Sequence, residues 1–204
     1  MRAKKHLGQH FLRDQAIISR IIASIKEHCS EDIPLVEVGP GEGVLTHELA
    51  ASFPAFRAIE FDRDMVALLT KMIDREKVIQ DNFLSVELSS LFDGKPLNLV
   101  GNFPYNISSQ IIFKMLDDIS LVPVMIGMFQ KEVADRICAD PGSKANGIIT
   151  LRTQAYYKAE SLFDIGPEAF SPPPRVMSSV IKLTRKEETT LPCDPAVYLS
   201  LIHI

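Results

Sequence analysis

Residues 35–43 have the sequence Leu35-Val-Glu-Val-Gly39-Pro-Gly41-Glu-Gly43, and this stretch decides the fold. The apolar run at 35–38 predicts a short buried strand, and residues from Val44 to about Ser52 predict a helix directly after it. Three glycines within five residues let the backbone turn sharply and lie flat against a ligand. The stretch therefore predicts a strand–turn–helix unit at the ligand site of an α/β domain.

The spacing of the glycines favours one cofactor over another. The dinucleotide fingerprint is G-x-G-x-x-G, but position 44 is Val here, and the third glycine comes one residue early, at Gly43. The form E-x-G-x-G-x-G, which begins at Glu37, is typical of S-adenosylmethionine sites. In such sites the loop packs on the amino acid part of the cofactor and need not hold a pyrophosphate.

Strands and helices alternate on both sides of this unit. An apolar stripe within Asp14–Glu27 predicts the first helix. Further helices are predicted at Asp64–Ile73, from a Ser108 or Ser109 cap to Asp117, at Lys131–Ala139 and at Ile148–Tyr157, with strands at Ala55–Phe61, Lys77–Gln80, Leu97–Gly101, Val122–Phe129, Ser161–Ile165 and Ser178–Thr184. This alternation predicts an α/β, Rossmann-like fold: a mostly parallel seven-stranded sheet with helices on both faces and an antiparallel hairpin at one edge.

Polar residues end three successive strands. Glu60 ends the second strand, where an acid can accept two hydrogen bonds from a ribose diol; Asp81 ends the third, where a carboxylate can accept one from an adenine amino group. Taken alone, Glu60 could be a surface carboxylate and Asp81 a turn residue. With Asn102 after the fourth strand, the three lie where ligands bind in such sheets.

The segment Asn102-Phe-Pro-Tyr105 carries the chemistry. An adenine N6 is a poor nucleophile because its lone pair is delocalised into the ring, and acceptors aimed at its N–H groups localise that lone pair. The Asn102 oxygen and the backbone carbonyl of Phe103 or Pro104 are suitable acceptors. Pro104 fixes the backbone, and Tyr105 offers a ring on which a base can stack. Alternatively, the segment could be a simple N-x-P turn followed by an aromatic residue of the core. The glycine loop earlier in the sequence favours a site that methylates the amino group of a base.

Charge and composition narrow the class of protein. The net charge is −4, but residues 1–13 hold Arg2, Lys4, Lys5 and Arg13 and no acid, which leaves −8 for the remainder. This basic N-terminal arm can engage phosphate, although a solvated tail has the same composition. We find no signal peptide, and the longest apolar stretch, Leu121–Phe129, is too short to span a membrane.

Cysteines and histidines are few and scattered. Cys29, Cys138 and Cys193 form no C-x-x-C pair, and the five histidines lack the spacing of metal ligands. We therefore expect neither a disulfide framework nor a metal, and a reducing, cytoplasmic location.

These motifs together resemble the ribosomal RNA adenine dimethyltransferases, the KsgA family. The resemblance runs from about Arg2 to Thr184. Its segments are Lys5-His-Leu-Gly-Gln-His-Phe-Leu12, the glycine loop, Ile59-Glu-Phe-Asp62, Gly101-Asn-Phe-Pro-Tyr-Asn-Ile-Ser108, Gln130-Lys-Glu-Val133, Pro141-Gly-Ser-Lys144 and Ala169-Phe-Ser-Pro-Pro-Pro-Arg-Val176.

The resemblance implies transfer of methyl groups from S-adenosylmethionine to N6 of two adjacent adenosines. These adenosines lie in a hairpin loop near the 3′ end of small-subunit (16S) rRNA, so the implied partner is the immature 30S subunit, and we expect a monomer. With the strand-end argument, the resemblance assigns cofactor contacts to His10, Leu12, Gly39, Gly41, Glu60, Phe61, Asp81 and Asn102. The catalytic residues are predicted to be Asn102, Pro104 and Tyr105.

Two features depart from the family pattern. The family commonly has Asn where this chain has His10, and its members continue into a small basic helical domain that grips RNA. We expect residues 1–185 to form the methyltransferase domain with its N-terminal arm, and residues 186–204 to be a linker and the start of a largely missing C-terminal domain. On this expectation the chain binds the cofactor normally but binds and methylates ribosomal RNA poorly.

Three other functions fit parts of the pattern. Antibiotic-resistance methylases of the large subunit share the Gln-x-Phe-Leu and N-x-P-Y signals, but Gln130-Lys-Glu-Val133 and the prolines at 172–174 resemble the small-subunit group more. A non-catalytic RNA-binding factor on the same fold is disfavoured by the intact glycine loop and the intact 102–105 segment. A DNA adenine methylase would usually carry Asp or Ser with two prolines in that segment.

Overall fold

The structure is a computed structural model that describes residues 10–140 and 142–187. Across these ranges the chain forms six α-helices and nine strands. The helices are α1 (Gln15–His28), α2 (Thr46–Ser52), α3 (Arg63–Leu69), α4 (Ser108–Asp117), α5 (Lys131–Ile137) and α6 (Ile148–Tyr156). The strands are β1 (Phe11–Leu12), β2 (Leu35–Val38), β3 (Phe56–Glu60), β4 (Val78–Gln80), β5 (Asn98–Asn102), β6 (Val124–Gln130), β7 (Tyr157–Ile165), β8 (Phe170–Ser171) and β9 (Ser178–Arg185).

Seven strands form one sheet in the order β4-β3-β2-β5-β6-β9-β7. The first five are mutually parallel, and β9 runs antiparallel to both β6 and β7. The predicted mostly parallel seven-stranded sheet with an antiparallel edge is therefore confirmed. Because β9 pairs with both neighbours, it lies inside the sheet and β7 forms the edge.

The two faces of the sheet carry two separate cores. Leu35 and Val36, adjacent in β2, point into different cores, as alternation along a strand requires. The first core contains the buried isoleucine stripe of α1 and the apolar side of α2, and the second contains α4 and α5. Helices thus cover both faces, which explains why the central strands are continuous apolar runs.

Several predicted boundaries differ from the structure, among them the end of α3, which is predicted at Ile73 but lies at Leu69. The N-cap of α4 is Ile107, not Ser108 or Ser109; the turn that follows Pro104 runs directly into the helix, and the Ser108 hydroxyl donates back to the Tyr105 carbonyl at 3.1 Å. Strand β7 begins at Tyr157, four residues before the predicted Ser161.

The early start of β7 has a tertiary cause. The Tyr157 hydroxyl donates to the Val122 carbonyl at 2.8 Å, and Glu160 pairs with Lys182 of β9 at 3.1 Å. These contacts hold the start of the strand in place, although its sequence continues a helical pattern.

A short ladder outside the main sheet joins distant parts of the chain. Phe11 and Leu12 of β1 pair antiparallel with Ser171 and Phe170 of β8. Next to this ladder, the Arg13 N–H donates to the Ala169 carbonyl at 2.8 Å. The start of the described chain therefore lies against the segment that leads into β9.

The predicted domain division is only partly covered by the structure. The sheet closes with β9 at Arg185. Most of the basic arm, at residues 1–9, and nearly all of the predicted linker, at residues 188–204, lie outside the described residues. The division at 185–186 stays a prediction.

Candidate functional site

One cavity of about 250 Å³ opens at the carboxyl ends of β2, β3 and β5. It brings together nine of the ten predicted site residues: His10, Leu12, Gly39, Gly41, Glu60, Phe61, Asn102, Pro104 and Tyr105. Asp81 is not among the lining residues; its carboxylate accepts a bond from the Asn82 N–H at 2.7 Å, and Asn82 itself lines the cavity. The assignment of Asp81 to the cofactor therefore has no support from this geometry and stays a prediction.

The glycine-rich turn forms the floor of the cavity. Gly39 and Gly41 have φ angles of +66° and +57°, a left-handed conformation that side chains rarely adopt. A Cβ on Gly41 would lie 3.6 Å from the Phe11 ring, and one on Gly39 would lie 3.5 Å from Pro104. The positive φ angles are what require glycine at both positions, and they let the backbone turn close to Phe11 and Pro104 of the cavity wall.

Glu60 is held in place by two backbone donors. Its two carboxylate oxygens accept from the Asp62 N–H at 2.8 Å and the Gly41 N–H at 3.0 Å. Burial raises the pKa of this carboxyl, and the two hydrogen bonds oppose the rise. Each oxygen keeps a second lone pair, so Glu60 can still accept hydrogen bonds from a ligand in the cavity.

Glu37 is a second buried carboxyl in the cavity wall. It is 1% exposed, and its Oε2 has no hydrogen-bond partner within the described part of the chain. Burial raises the pKa of Glu37 to about 8, and the nearby Glu60 adds to the rise. Sequence reasoning placed Glu37 in the glycine motif but not among the site residues, because alternation along β2 does not say which of its residues faces a ligand.

The segment from Asn102 to Tyr105 forms the opposite wall. The Asn102 side-chain nitrogen donates to the His10 carbonyl at 3.3 Å, which leaves its amide oxygen as an acceptor. The Pro104 carbonyl accepts from the Ile107 N–H at 3.1 Å. Asn102 thus offers an oxygen to the cavity from a side chain whose orientation is fixed.

Tyr105 is fixed at both its ring and its hydroxyl. The hydroxyl lies 2.5 Å from the Ser178 Oγ, and the ring stacks on His10 with centroids 5.7 Å apart and an interplanar angle of 26°. Burial raises the pKa of the Tyr105 phenol. The His10 ring is itself bonded through Nδ1 to the Pro172 carbonyl at 2.8 Å.

The cavity fits S-adenosylmethionine by the charge and shape of its lining. The cofactor carries positive charge on its amino and sulfonium groups, and a cation of this kind would favour ionisation of the Glu37 carboxyl, whose Oε2 has no partner within the described part of the chain. Glu60 offers acceptors to a ribose diol, and Phe61, 63% exposed at the rim, offers an apolar face to an adenine ring.

The described residues were predicted to hold neither a metal site nor a membrane span. Within the described ranges, no three His, Cys, Asp or Glu side chains are grouped so that they could bind a metal ion. No helix among those residues has the length and apolar character that spanning a membrane requires.

Comparison with known proteins identifies the family. The sequence profile of the family described as "Ribosomal RNA adenine dimethylase" matches residues 1–204. The chain is 45% identical over 204 residues to the ribosomal RNA small subunit methyltransferase A of Bacteroides fragilis, and covers 74% of that protein. It is 47% identical over 204 residues to the protein of the same name from Phocaeicola vulgatus, and covers 72% of it. Each alignment includes 99% of this chain.

Solved structures agree with the sequence relatives. A dimethyladenosine transferase from Plasmodium falciparum matches 96% of this chain and 70% of its own, with a TM-score of 0.80 and 26% identity. The 23S rRNA methyltransferase ErmE matches 95% of this chain and 77% of its own, with a TM-score of 0.78 and 28% identity. The profile match over the whole length and the close relatives show that the chain belongs to the ribosomal RNA adenine dimethylase family, whose members are S-adenosylmethionine-dependent methyltransferases.

Proposed function

We propose that this enzyme transfers methyl groups from S-adenosylmethionine to N6 of two adjacent adenosines in a hairpin loop near the 3′ end of 16S rRNA, during ribosome biogenesis. The observation that carries the proposal is the position of Asn102. Its amide oxygen is a fixed acceptor in the same cavity as the glycine turn and Glu60. The hydrogen-bond acceptor for the target amine and the residues assigned to the cofactor therefore line the same cavity.

Asn102 and its neighbours prepare the target amine. The Asn102 oxygen accepts a hydrogen bond from one N6–H, and the carbonyl of Phe103 or Pro104 accepts the other. Both bonds strengthen as the nitrogen becomes tetrahedral, so they stabilise the transition state more than the bound substrate. The Tyr105 ring stacks on the base and holds its amine at this position. The bound cofactor supplies the methyl group.

The cofactor contacts are assigned to the cavity lining. Glu60 accepts from the ribose, Gly39 and Gly41 lie against the amino acid part, and Phe61 packs on the adenine. His10, Leu12 and Asn102 complete the wall on the side of the target base. Asn82, which lines the cavity next to Asp81, is assigned to the edge of the cofactor adenine.

The small ribosomal subunit is the proposed partner. The relatives at 45% and 47% identity are named for that subunit, whereas the large-subunit enzyme ErmE is 28% identical. Because the proposed modification takes place during ribosome biogenesis, we take the immature 30S subunit as the particle on which the enzyme acts. We place the reaction in the cytoplasm, where the free Cys29 and Cys138 stay reduced, and expect the enzyme to act as a monomer.

The test is to incubate the chain with immature small subunits and labelled S-adenosylmethionine, and then to map the methylated nucleotides. Free 23S rRNA serves as the competing substrate, and the Asn102→Ala variant as the inactive control. Label in two adjacent adenosines of 16S rRNA supports the proposal. Label confined to 23S rRNA would assign the chain to the large-subunit methylases, and label in neither RNA would overturn the proposal.

A further inference from the structure

Three exposed residues, Arg175, Val176 and Met177, directly precede β9. Val176 and Met177 are 45% and 44% exposed, which is unusual for large apolar side chains next to a buried strand. Their backbone is held at its end, because the Met177 carbonyl accepts from the Lys131 N–H at 2.9 Å and Ser178 begins β9. The two apolar side chains are therefore presented to solvent by a fixed backbone.

Residues on both sides of this segment contact the wall of the cavity. At its end, the Ser178 Oγ bonds the Tyr105 hydroxyl; a few residues earlier, the Pro172 carbonyl bonds His10. Tyr105 and His10 are the two stacked rings in the cavity wall. The exposed residues at 175–177 therefore lie in the chain between two contacts to the wall that is proposed to receive the target base.

The charges around the segment favour an anionic partner. Arg175 is exposed and forms no ion pair with any residue that the structure describes. Two nearby acids, Asp135 and Asp164, are engaged by Lys131 at 2.8 and 3.2 Å. An exposed cation beside an apolar surface matches the two chemical parts of a nucleotide, the phosphate and the base.

We propose that Arg175, Val176 and Met177 form a subsite for the unpaired nucleotide next to the target adenosine; the proposal rests on the proposed function. A base that leaves its stack to enter the cavity uncovers the face of its neighbour. Val176 and Met177 cover that face, and Arg175 neutralises the adjoining phosphate. An aliphatic and thioether surface can contact any base, so the subsite binds an unstacked nucleotide without selecting which base it carries.

A double-mutant cycle between side chain and base tests the contact. Affinity is measured, with S-adenosylhomocysteine present, for two RNA hairpins that differ only in whether the neighbouring nucleotide carries its base or is abasic. Met177→Ser should weaken binding of the intact hairpin by about two- to tenfold, the range of a methionine–ring contact. It should change binding of the abasic hairpin little, because the partner is already gone.

Met72→Ser is the matched control. Met72 is 37% exposed after α3 and does not line the cavity, so its replacement should affect neither hairpin. Val176→Ser provides a second variant in case Met177→Ser fails to fold, as judged by its affinity for S-adenosylmethionine. Arg175→Gln should lower the slope of log affinity against log salt by about 0.7, the value for one contact to single-stranded phosphate.

Different results would contradict the subsite and the proposed function. Equal weakening of both hairpins by Met177→Ser and by Val176→Ser would show that neither side chain touches that base, and would overturn the subsite. If Arg175→Gln leaves the slope of log affinity against log salt unchanged, Arg175 does not contact a phosphate, and that part of the proposal is wrong. A parent chain that methylates no small-subunit RNA would overturn the proposed function, whatever the cycle shows.

Discussion

Glu37 and Asn102 show how single residues in this site act through what surrounds them. Glu37 is nearly inaccessible to solvent and lies near a second carboxyl, Glu60, so its charged form is disfavoured until a cation arrives. Asn102 has its nitrogen committed to a backbone carbonyl, so only its oxygen is available to the substrate. In both cases the neighbours decide the role of the side chain.

The buried Glu37 should make stability depend on pH. Its pKa is about 8 in the folded chain against an ordinary value of 4.5, so between these pH values the folded state holds a proton that the unfolded state has released. The free energy of unfolding therefore falls as pH rises from 4.5 to 8. Glu37→Gln should remove this part of the pH dependence in urea titrations of the cofactor-free chain.

An exposed glutamate provides the control for that experiment. Glu31→Gln makes the same substitution at an exposed position, and its free energy of unfolding should depend on pH as that of the parent does. If the curves of Glu37→Gln and the parent have the same slope across this range, Glu37 is already ionised in the folded chain.

Asn102→Ala should separate catalysis from cofactor binding. The variant lacks the acceptor for the N6 amine, and removal of one such group costs about 10²–10³ in rate. The affinity for S-adenosylmethionine should change only a few-fold, because the glycine turn, Glu37 and Glu60 remain. Single-turnover methylation and calorimetry measure the two quantities; a single-turnover rate close to that of the parent would contradict the assignment.

At the scale of elements, the site is a junction of strand ends held together by backbone donors. Glu60 joins the end of β3 to the turn after β2 through the Gly41 N–H, and to the start of α3 through the Asp62 N–H. The carboxylate therefore also orders the turn that holds the cofactor. This structural role was not evident from its position in the sequence.

Glu60→Ala should lower cofactor affinity by tenfold or more. Hydrogen bonds to a charged acceptor contribute roughly 1.5–3 kcal/mol each, and the variant also leaves the N–H groups of Gly41 and Asp62 without their partner. Calorimetry measures the affinity, and circular dichroism checks that the chain is folded. Asp81→Ala, at the end of the neighbouring strand but outside the cavity lining, tests the predicted contact to the cofactor adenine; a decrease in affinity would support that contact, and an affinity equal to that of the parent would remove Asp81 from the cofactor site.

Local patterns predicted most elements because each depends on nearby residues. The isoleucine stripe of α1 and the apolar run of β2 are visible within a few residues and are buried as expected. The start of β7 and the β1–β8 ladder depend on contacts between residues far apart in the sequence, so no local pattern reveals them. Asn82 lines the cavity and its neighbour Asp81 does not, because side chains alternate in direction at a strand end; the assignment of Asp81 to the cofactor stays a prediction.

At the scale of the whole molecule, charge is divided unequally between the N-terminal arm and the remainder. The residues after position 13 carry a net charge of −8, so RNA binding depends on local groups of cations. The arm at residues 1–13 holds four basic residues and no acid, and leads directly into the wall of the cavity at His10.

Replacing Lys4 and Lys5 with Gln should weaken RNA binding and leave cofactor binding unchanged. For each phosphate that a lysine no longer neutralises, the slope of log affinity against log salt should fall by about 0.7. The control is Lys95→Gln with Lys158→Gln, which makes the same change in net charge at the amino edge of the sheet, near the starts of β5 and β7. Equal weakening by both double variants would assign the effect to net charge and not to the arm.

The pairing of Phe11 with Ser171 also affects when the site can form during synthesis, because the two residues lie near opposite ends of the described chain. A ribosome that is making this chain finishes the glycine turn, Glu60 and Asn102 long before it reaches Pro172, the partner of His10. Until then Phe11 and Leu12 lack the β8 strand with which they pair, His10 lacks the Pro172 carbonyl, and Tyr105 lacks Ser178. A nascent chain therefore holds the predicted catalytic residues without a fully supported cavity wall until synthesis has reached the last strand of the sheet.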